Sequence, residues 1–247
     1  MAETAVRGHA ALPALGWVLR ASSTLVWFPA VVLLILLASV AALPAGIAAM
    51  AVWDGAWPAW AMGVRVVVAV VFGYGTFVIT FAAVVAVARL LLGLRGREAD
   101  VPVRSSWMFP WYVQLLSTYA VMTVSGPVLQ SLGLMRWFAR AMGMRLGRGT
   151  LINSRNLYDL DLIHLGDQVL VGGDAYLVPH VVEHGRLIRR RITIGDGASI
   201  GLHAVVLPGA CIGRNCHVGA LSLVPKDAVL DDDAVYAGVP VRKVRDL

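Results

Sequence analysis

From residue 194 onward an aliphatic residue returns at every sixth position: Ile194, Ile200, Val206, Ile212, Val218 and Val224. Four places after each comes a small one, Ala198, Ala204, Ala210, Cys216, Ser222 and Ala228, with glycine and turn formers between. An amphipathic helix repeats at three and four and a half-buried strand at two, so neither explains a period of six. A unit of one short strand and one corner does. Its aliphatic residue enters a prism, the small residue fits beside it, and stacked coils satisfy each other's backbone edges. The pattern predicts a parallel β-helix of hexapeptide repeats. The same phase is present at Leu165, Val171 and Leu177, with Val169 and Ala175 in the small positions, and more weakly at Leu146 and Ile152, so the solenoid is expected to begin near residue 146. Between Leu177 and Ile188 the spacing is eleven. About five residues are therefore expected to leave the wall as a loop within 178–187, and solenoid insertions generally sit on one working face.

Ahead of the repeats the pattern is different. No charge occurs from Ala21 to Trp53, a run of 33 residues, or from Val66 to Ala88, a run of 23. Each exceeds the roughly 20 apolar residues that cross a bilayer's hydrocarbon core. Residues 1–104 are thus read as an N-terminal segment with two transmembrane helices, about 23–43 and 66–88, joined by a loop carrying Trp53, Trp57 and Trp60 at the interface. The first run is too long for a secretory leader and a second follows it closely. Arg7 and Arg20 precede the hairpin, Arg65 alone lies in its loop, and Arg89, Arg95, Arg97 and Arg104 follow, which predicts both ends on the cytoplasmic side of the inner membrane. A third uncharged run, Ser105 to Met135, contains Pro110, Gln114, Gly126, Pro127 and Gln130 and has arginines on both flanks. It is expected to form a broken helical pair lying in the membrane plane, making 105–143 an interfacial segment and 144–247 the β-helix domain.

The composition agrees with that division: 58% of residues are hydrophobic and mean hydropathy is +0.73, too apolar for an ordinary soluble domain. The net charge of +6 gathers at the membrane flanks, in the run Arg186, Arg189, Arg190, Arg191 and at the C-terminus. No nucleic-acid motif accompanies it; anionic membrane lipids account for the flanking arginines, and the clusters within the solenoid suit either lipid or ligand phosphates. Cys211 and Cys216 have neither metal-site nor disulfide spacing, and Cys216 occupies a small inward slot, so no metal is expected.

The stretches "ITIGDGASIGLHAVVLPGACIG" and "VPKDAVLDDDAVYAGVPVRKV" resemble the hexapeptide-repeat acyltransferases, in particular galactoside and maltose O-acetyltransferases. "GMRLGRGTLIN", "LIHLGDQVLV", "PHVVEHGRL" and "GALSLVPKD", behind two membrane spans, resemble the membrane-embedded C-terminal repeats of nonribosomal peptide synthetases of the ε-poly-lysine type. Both resemblances imply a left-handed β-helix, so the expected fold is a membrane α-helical hairpin followed by a left-handed parallel β-helix. Both imply acyl transfer from a phosphopantetheine thioester, on coenzyme A or on a carrier protein, between three prisms. The synthetases carry three such units in one chain and this sequence one, which implies a homotrimer, with a heterotrimer of related subunits or a monomer that is a piece of a longer synthetase as the alternatives, and an adenylation or carrier protein as a candidate partner.

The resemblance carries the loop histidine that serves as base onto His180, with Glu183 or His184 orienting its far nitrogen. His203 matches a histidine common in the sugar acetyltransferases, though a turn role suits it equally. Those enzymes commonly have a tryptophan and a serine around this coil; here stand Ser199 and Leu202. The backbone N–H of Leu202 is then the candidate oxyanion donor, and the departure favours the peptide-synthetase resemblance. Lys226, Arg242 and Lys243 are candidates for the donor's phosphates or are solvated surface charges. Asp159 and Asp161 either bind the ammonium of an amino-acid acceptor or turn a corner, and Asn153 is open to the same two readings. The expected activity is a membrane-anchored acyl or aminoacyl transfer to an amine or hydroxyl, foremost amide bond formation; the alternatives are coenzyme A-dependent O-acetylation of an envelope glycan and a non-catalytic membrane scaffold.

Overall fold

The computed structural model describes residues 12–53 and 58–247. Helix α1 spans Leu12–Trp53 and α2 Met62–Leu91. Their most apolar lengths, Pro29–Ala51 and Met62–Leu91, are 23 and 30 residues, roughly 34 and 45 Å at the α-helical rise. The first helix is longer than the expected 23–43 because it continues through Pro29 and Pro44. Each proline removes one backbone bond, and the helix runs on across both positions. The helices run antiparallel: Gly73 meets Ala45 and Ala49, and one end further on Thr80 Oγ1 donates to the Ala41 carbonyl at 2.9 Å. A Cβ on Gly73 would stand 3.3 Å from that of Ala49, so small residues set this close approach. Trp53 and Trp60 are exposed at the hairpin's tip, with the Arg65 guanidinium 4.7 Å above the Trp53 ring. Arg7 and Trp57 lie outside the described residues.

Strand β1, Ala99–Pro102, follows; then come α3 Met108–Val124 and α4 Gly126–Ser131 within the uncharged run, and a third helix, α5 Met135–Ala141, beyond it. Pro127 suits the first turn of α4, and Gly133, at φ +68°, ends it. At 17 residues, α3 reaches about 26 Å, short of the hydrocarbon thickness. It packs along α1 and α2.

The solenoid has three parallel walls. One stacks Leu151–Ile152, Leu170–Val171, Ser199–Ile200, His217–Val218 and Ala234–Ala237, closed by antiparallel Arg242–Asp246. The second stacks Tyr176–Leu177, Val205–Val206 and Leu223–Val224; the third runs from Arg145–Leu146 to Val229–Leu230. The hexad aliphatics fill the interior, with Ile194, Ile200, Val206, Ile212 and Val224 at most 1% exposed. The residue before each small slot, Gly197, His203, Gly209, Asn215, Leu221, Asp227 and Asp233, has φ between 51° and 78°. Inter-coil bonds at these corners, such as His203 N–H to Gly173 O at 3.0 Å, offset the cost of left-handed backbone.

The insertion differs from its expected size. An uninterrupted coil is 18 residues, as from Ser199 to His217, and the coil containing the insertion is 29, as from Asp167 to Asp196. About eleven residues leave the wall rather than five, because Ile188 is not a wall residue. The chain departs at Pro179 and returns at Arg190, whose N–H bonds the Pro179 carbonyl at 2.9 Å. Between them, His180–Glu183 and Arg186–Arg189 form an antiparallel hairpin, turning at His184 and Gly185. Strand β1 adds to the hairpin's second strand, and Arg186 binds Asp100 at 2.6 Å. Residues 99–102, expected within the membrane segment, therefore belong to a side sheet of the solenoid.

Candidate active site

The stretch between the first coils leaves the hexad wall. Asp159 has φ +42°, and the short turn after it buries Leu160 and Leu162, which carries the Asp159 side chain wholly inside. A lone carboxylate there would be very costly. Three donors meet it: Trp111 Nε1 at 2.9 Å, Arg189 at 3.0 Å and His180 Nδ1 at 2.6 Å. Burial pushes the Asp159 carboxyl up, but the His180 hydrogen bond and the Arg189 charge outweigh it and hold the group below the ordinary carboxylate range. An ionised Asp159 only accepts, so it fixes the tautomer with the proton on His180 Nδ1. Nε2 is then the basic nitrogen, and no described residue hydrogen-bonds it. The His180 side chain is 18% exposed, and its ring lies edge-on to Trp111 at 5.2 Å and Tyr158 at 6.0 Å.

A second buried carboxylate supports the first. Asp161 accepts from Gln114 at 2.7 Å, from Arg89 at 3.3 Å and from the Gly96 N–H, and lies 3.8 Å from Arg189. Ionic contacts thus run from Arg89, in the last turn of α2, through Asp161, Arg189 and Asp159 to His180. A Cβ at Gly143 would collide with the Arg89 guanidinium, and its φ of +91° disfavours any side chain there.

Several expected site residues stand elsewhere. Glu183 does not orient His180. The two are three apart on one strand and so project to opposite faces, and Glu183 instead binds Lys226 at 2.5 Å. His184 occupies the turn. The orienting carboxylate is Asp159; its side chain is wholly buried and that of Asp161 is 5% exposed, which leaves neither open to a soluble ammonium group. Trp111, Gln114 and Arg189 complete the site, and sequence periodicity had no means of choosing them: they come from elements up to 48 residues away from the aspartates. Lys226 is taken by Glu183, and Lys243 by Asp231 at 3.1 Å and Asp246 at 2.7 Å. Arg242 is exposed on the last strand with no partner among the described residues. His203 is an exposed corner residue, and no described side-chain bond joins it to His180. Leu202 is 51% exposed and its N–H donates to no described residue. Asn153 accepts from Gln130 at 2.6 Å, while Ser199 Oγ contacts His217 Nδ1 on the outward face of its wall. Cys216 is fully buried, and burial pushes its thiol up to about 11. Among the described residues no cluster has the composition of a metal site.

No protein-family model matches the chain. Among curated proteins it is 34% identical over 119 residues to the galactoside O-acetyltransferase of Escherichia coli, covering 45% of this chain and 58% of that enzyme. The solenoid is similar to the hexapeptide-repeat acyltransferases. The chain is also similar to the delta-poly-L-ornithine synthetase of Acinetobacter baumannii, 26% identical over 167 residues, 67% of this chain and 12% of that protein. That match is longer than the solenoid itself, so it takes in helical residues before the repeats. The chain thus spans less than two thirds of either relative. Among solved structures, a maltose O-acetyltransferase from Clostridium difficile superposes with a TM-score of 0.49 at 16% identity, covering 61% of this chain and 93% of that one.

Proposed function

We propose that this protein is a membrane-anchored acyltransferase that moves an acyl or aminoacyl group from a pantetheine thioester to an amine or hydroxyl. The carrying observation is the Asp159–His180 pair, with a buried carboxylate on Nδ1 and Nε2 without a partner among the described residues. His180 Nε2 takes the proton from the acceptor's O–H or N–H as that atom attacks the thioester carbonyl. The new C–O or C–N bond forms, the C–S bond breaks, and the imidazolium returns the proton to the departing sulfur. Asp159 remains ionised throughout and stabilises the imidazolium. A backbone N–H, for which Leu202 is the candidate, receives the carbonyl oxygen's developing charge. Of the three basic residues considered for the donor's phosphates, Arg242 alone is unpaired among the described residues, so a binding surface completed by a neighbouring chain suits the donor better.

The match to the poly-ornithine synthetase, which extends into the helical half, favours amide formation with a carrier-bound donor. The higher identity to the galactoside O-acetyltransferase favours the second reading, coenzyme A-dependent O-acetylation of an envelope glycan. The left-handed wind of the helix follows from the same family. The outward faces of α1 and α2, with Ile35, Leu43, Ile47, Val70 and Phe72 more than half exposed, suit a lipid environment and a multi-pass inner-membrane protein with the solenoid in the cytoplasm. Exposed aliphatics on the solenoid, among them Leu151, Val182, Leu221 and Val229, suit packing of three prisms around an axis. Labelled acyl-coenzyme A and a loaded carrier protein, offered in parallel to the purified protein with amine and hydroxyl acceptors, separate the readings. Amide product from the carrier supports the first, ester product from coenzyme A the second, and no transfer from either donor counts against both.

A further inference from the structure

Where α2 ends, a cleft of about 450 Å³ opens between the chain that follows the helix and the start of α3. Its volume lies in the range of small-molecule sites. Leu92, Leu94, Trp107 and Pro110 supply an apolar side, and Trp111, Gln114 and Arg189, each at most 5% exposed, a polar interior. Arg95 and Arg97 complete the lining. The charges here do not balance. Arg89 and Arg189 are matched by Asp161 and Asp159, whereas Arg95 and Arg97 are exposed and form no ion pair or hydrogen bond with any described residue. The Arg189 Nε is also buried without a partner. Two uncompensated guanidinium groups beside an apolar wall call for a ligand with an anionic head and a hydrocarbon body. Arginine supplies the planar donor set that phosphate oxygens accept.

The place of the cleft narrows the choice. Leu90 and Leu91, in the last turn of α2, are 66% and 82% exposed, and Trp107 is 42% exposed. If α2 crosses the bilayer, as proposed above and on which this inference rests, those leucines lie at the hydrocarbon boundary with Arg95 and Arg97 just beyond it. We propose that the cleft binds the headgroup of an anionic phospholipid, with its phosphate between Arg95 and Arg97 and its first acyl carbons against Leu92, Leu94 and Trp107. Trp111 and Arg189, which line the cleft, also hold Asp159. The cleft is therefore walled in part by residues that position the base.

The test uses the full chain in a neutral detergent, titrated with phosphatidylglycerol, phosphatidylcholine or coenzyme A and read by native mass spectrometry. Each basic residue beside an anionic headgroup contributes on the order of a factor of five, so phosphatidylglycerol should bind about 25-fold tighter than phosphatidylcholine. That preference should vanish in Arg95→Gln/Arg97→Gln, survive in Arg95→Lys/Arg97→Lys, and survive in Arg214→Gln/Arg245→Gln, which removes equal charge from the far end of the solenoid. Equal binding of the two lipids, or equal loss in the distant pair, would overturn the proposal. So would coenzyme A displacing phosphatidylglycerol and losing its own binding in Arg95→Gln/Arg97→Gln, which would assign the cleft to the donor's phosphates. Binding is read without turnover: an inactive protein that keeps the lipid preference fails only the acyltransferase reading, and an active one without it fails only this inference.

Discussion

At the scale of single residues, the site turns on which carboxylate holds His180. His180 was legible because the hexad phase isolates an insertion and the family resemblance lands on a histidine within it. Asp159 was visible as one of two aspartates that break the phase, but its burial depends on donors from α3 and from the hairpin, 48 and 30 residues away. Local patterning does not register such partners. Asp159→Asn should therefore cost turnover on the order of 10²-fold or more, by disturbing the tautomer and leaving Arg189 without its closest counter-charge. Glu183→Gln, which breaks only a partly exposed pair with Lys226, should cost less than about fivefold. Steady-state kinetics on both variants checks this, and the reverse order would reinstate Glu183. Asp159 also sets an acid limit. Its folded pKa is depressed, so its stabilising contribution is complete above its unfolded value of about 4 and is lost as pH falls through the folded one. The apparent melting temperature should fall below pH 4 in the wild type and less steeply in Asp159→Asn; parallel curves would contradict the assignment.

At the scale of elements, the repeat was almost wholly readable, because burial in a prism obliges one aliphatic and one small residue per unit. What it did not reveal is where the chain leaves the wall. Ile188 lies six residues before Ile194 and so mimics the phase, yet it pairs with Val181 in the hairpin. The same blindness hid β1: four residues with no strong alternation become a strand only because the hairpin offers an edge. The inward slots make a chemical prediction. Cys216 is buried with its thiol pushed to about 11, whereas Cys211 is exposed. Maleimide at pH 7.5 should add once per folded chain, and not at all to Cys211→Ser. Two additions to the folded protein would mean that the prism opens or that the register is wrong.

For the whole molecule, two uncharged runs announced the helical hairpin, and its outward faces carry apolar side chains that no described residue covers. How the hairpin is tied to the solenoid was not legible, since the tie joins residues far apart in sequence: an apolar core continuous from Phe81 and Val85 through Met142 to Leu160, and the ionic contacts of Arg89 and Arg189 with two aspartates. The proposed orientation predicts that, in a Cys211→Ser background, cysteine at Trp60 reacts with an impermeant thiol reagent added to intact cells and cysteine at Arg190 does not. Labelling at Arg190 would turn the solenoid outward. The proposed assembly predicts three chains per particle by native mass in mild detergent, and an active monomer or dimer would remove the shared-site arrangement.

The most direct test of the central claim, that His180 held by Asp159 is the base of an acyl transfer, is single-turnover transfer of label from a pantetheine thioester in wild type and His180→Ala. The account predicts a loss of about 10²- to 10⁴-fold in the chemical step with the donor still bound and the fold retained. Transfer at near wild-type rate in His180→Ala would contradict it.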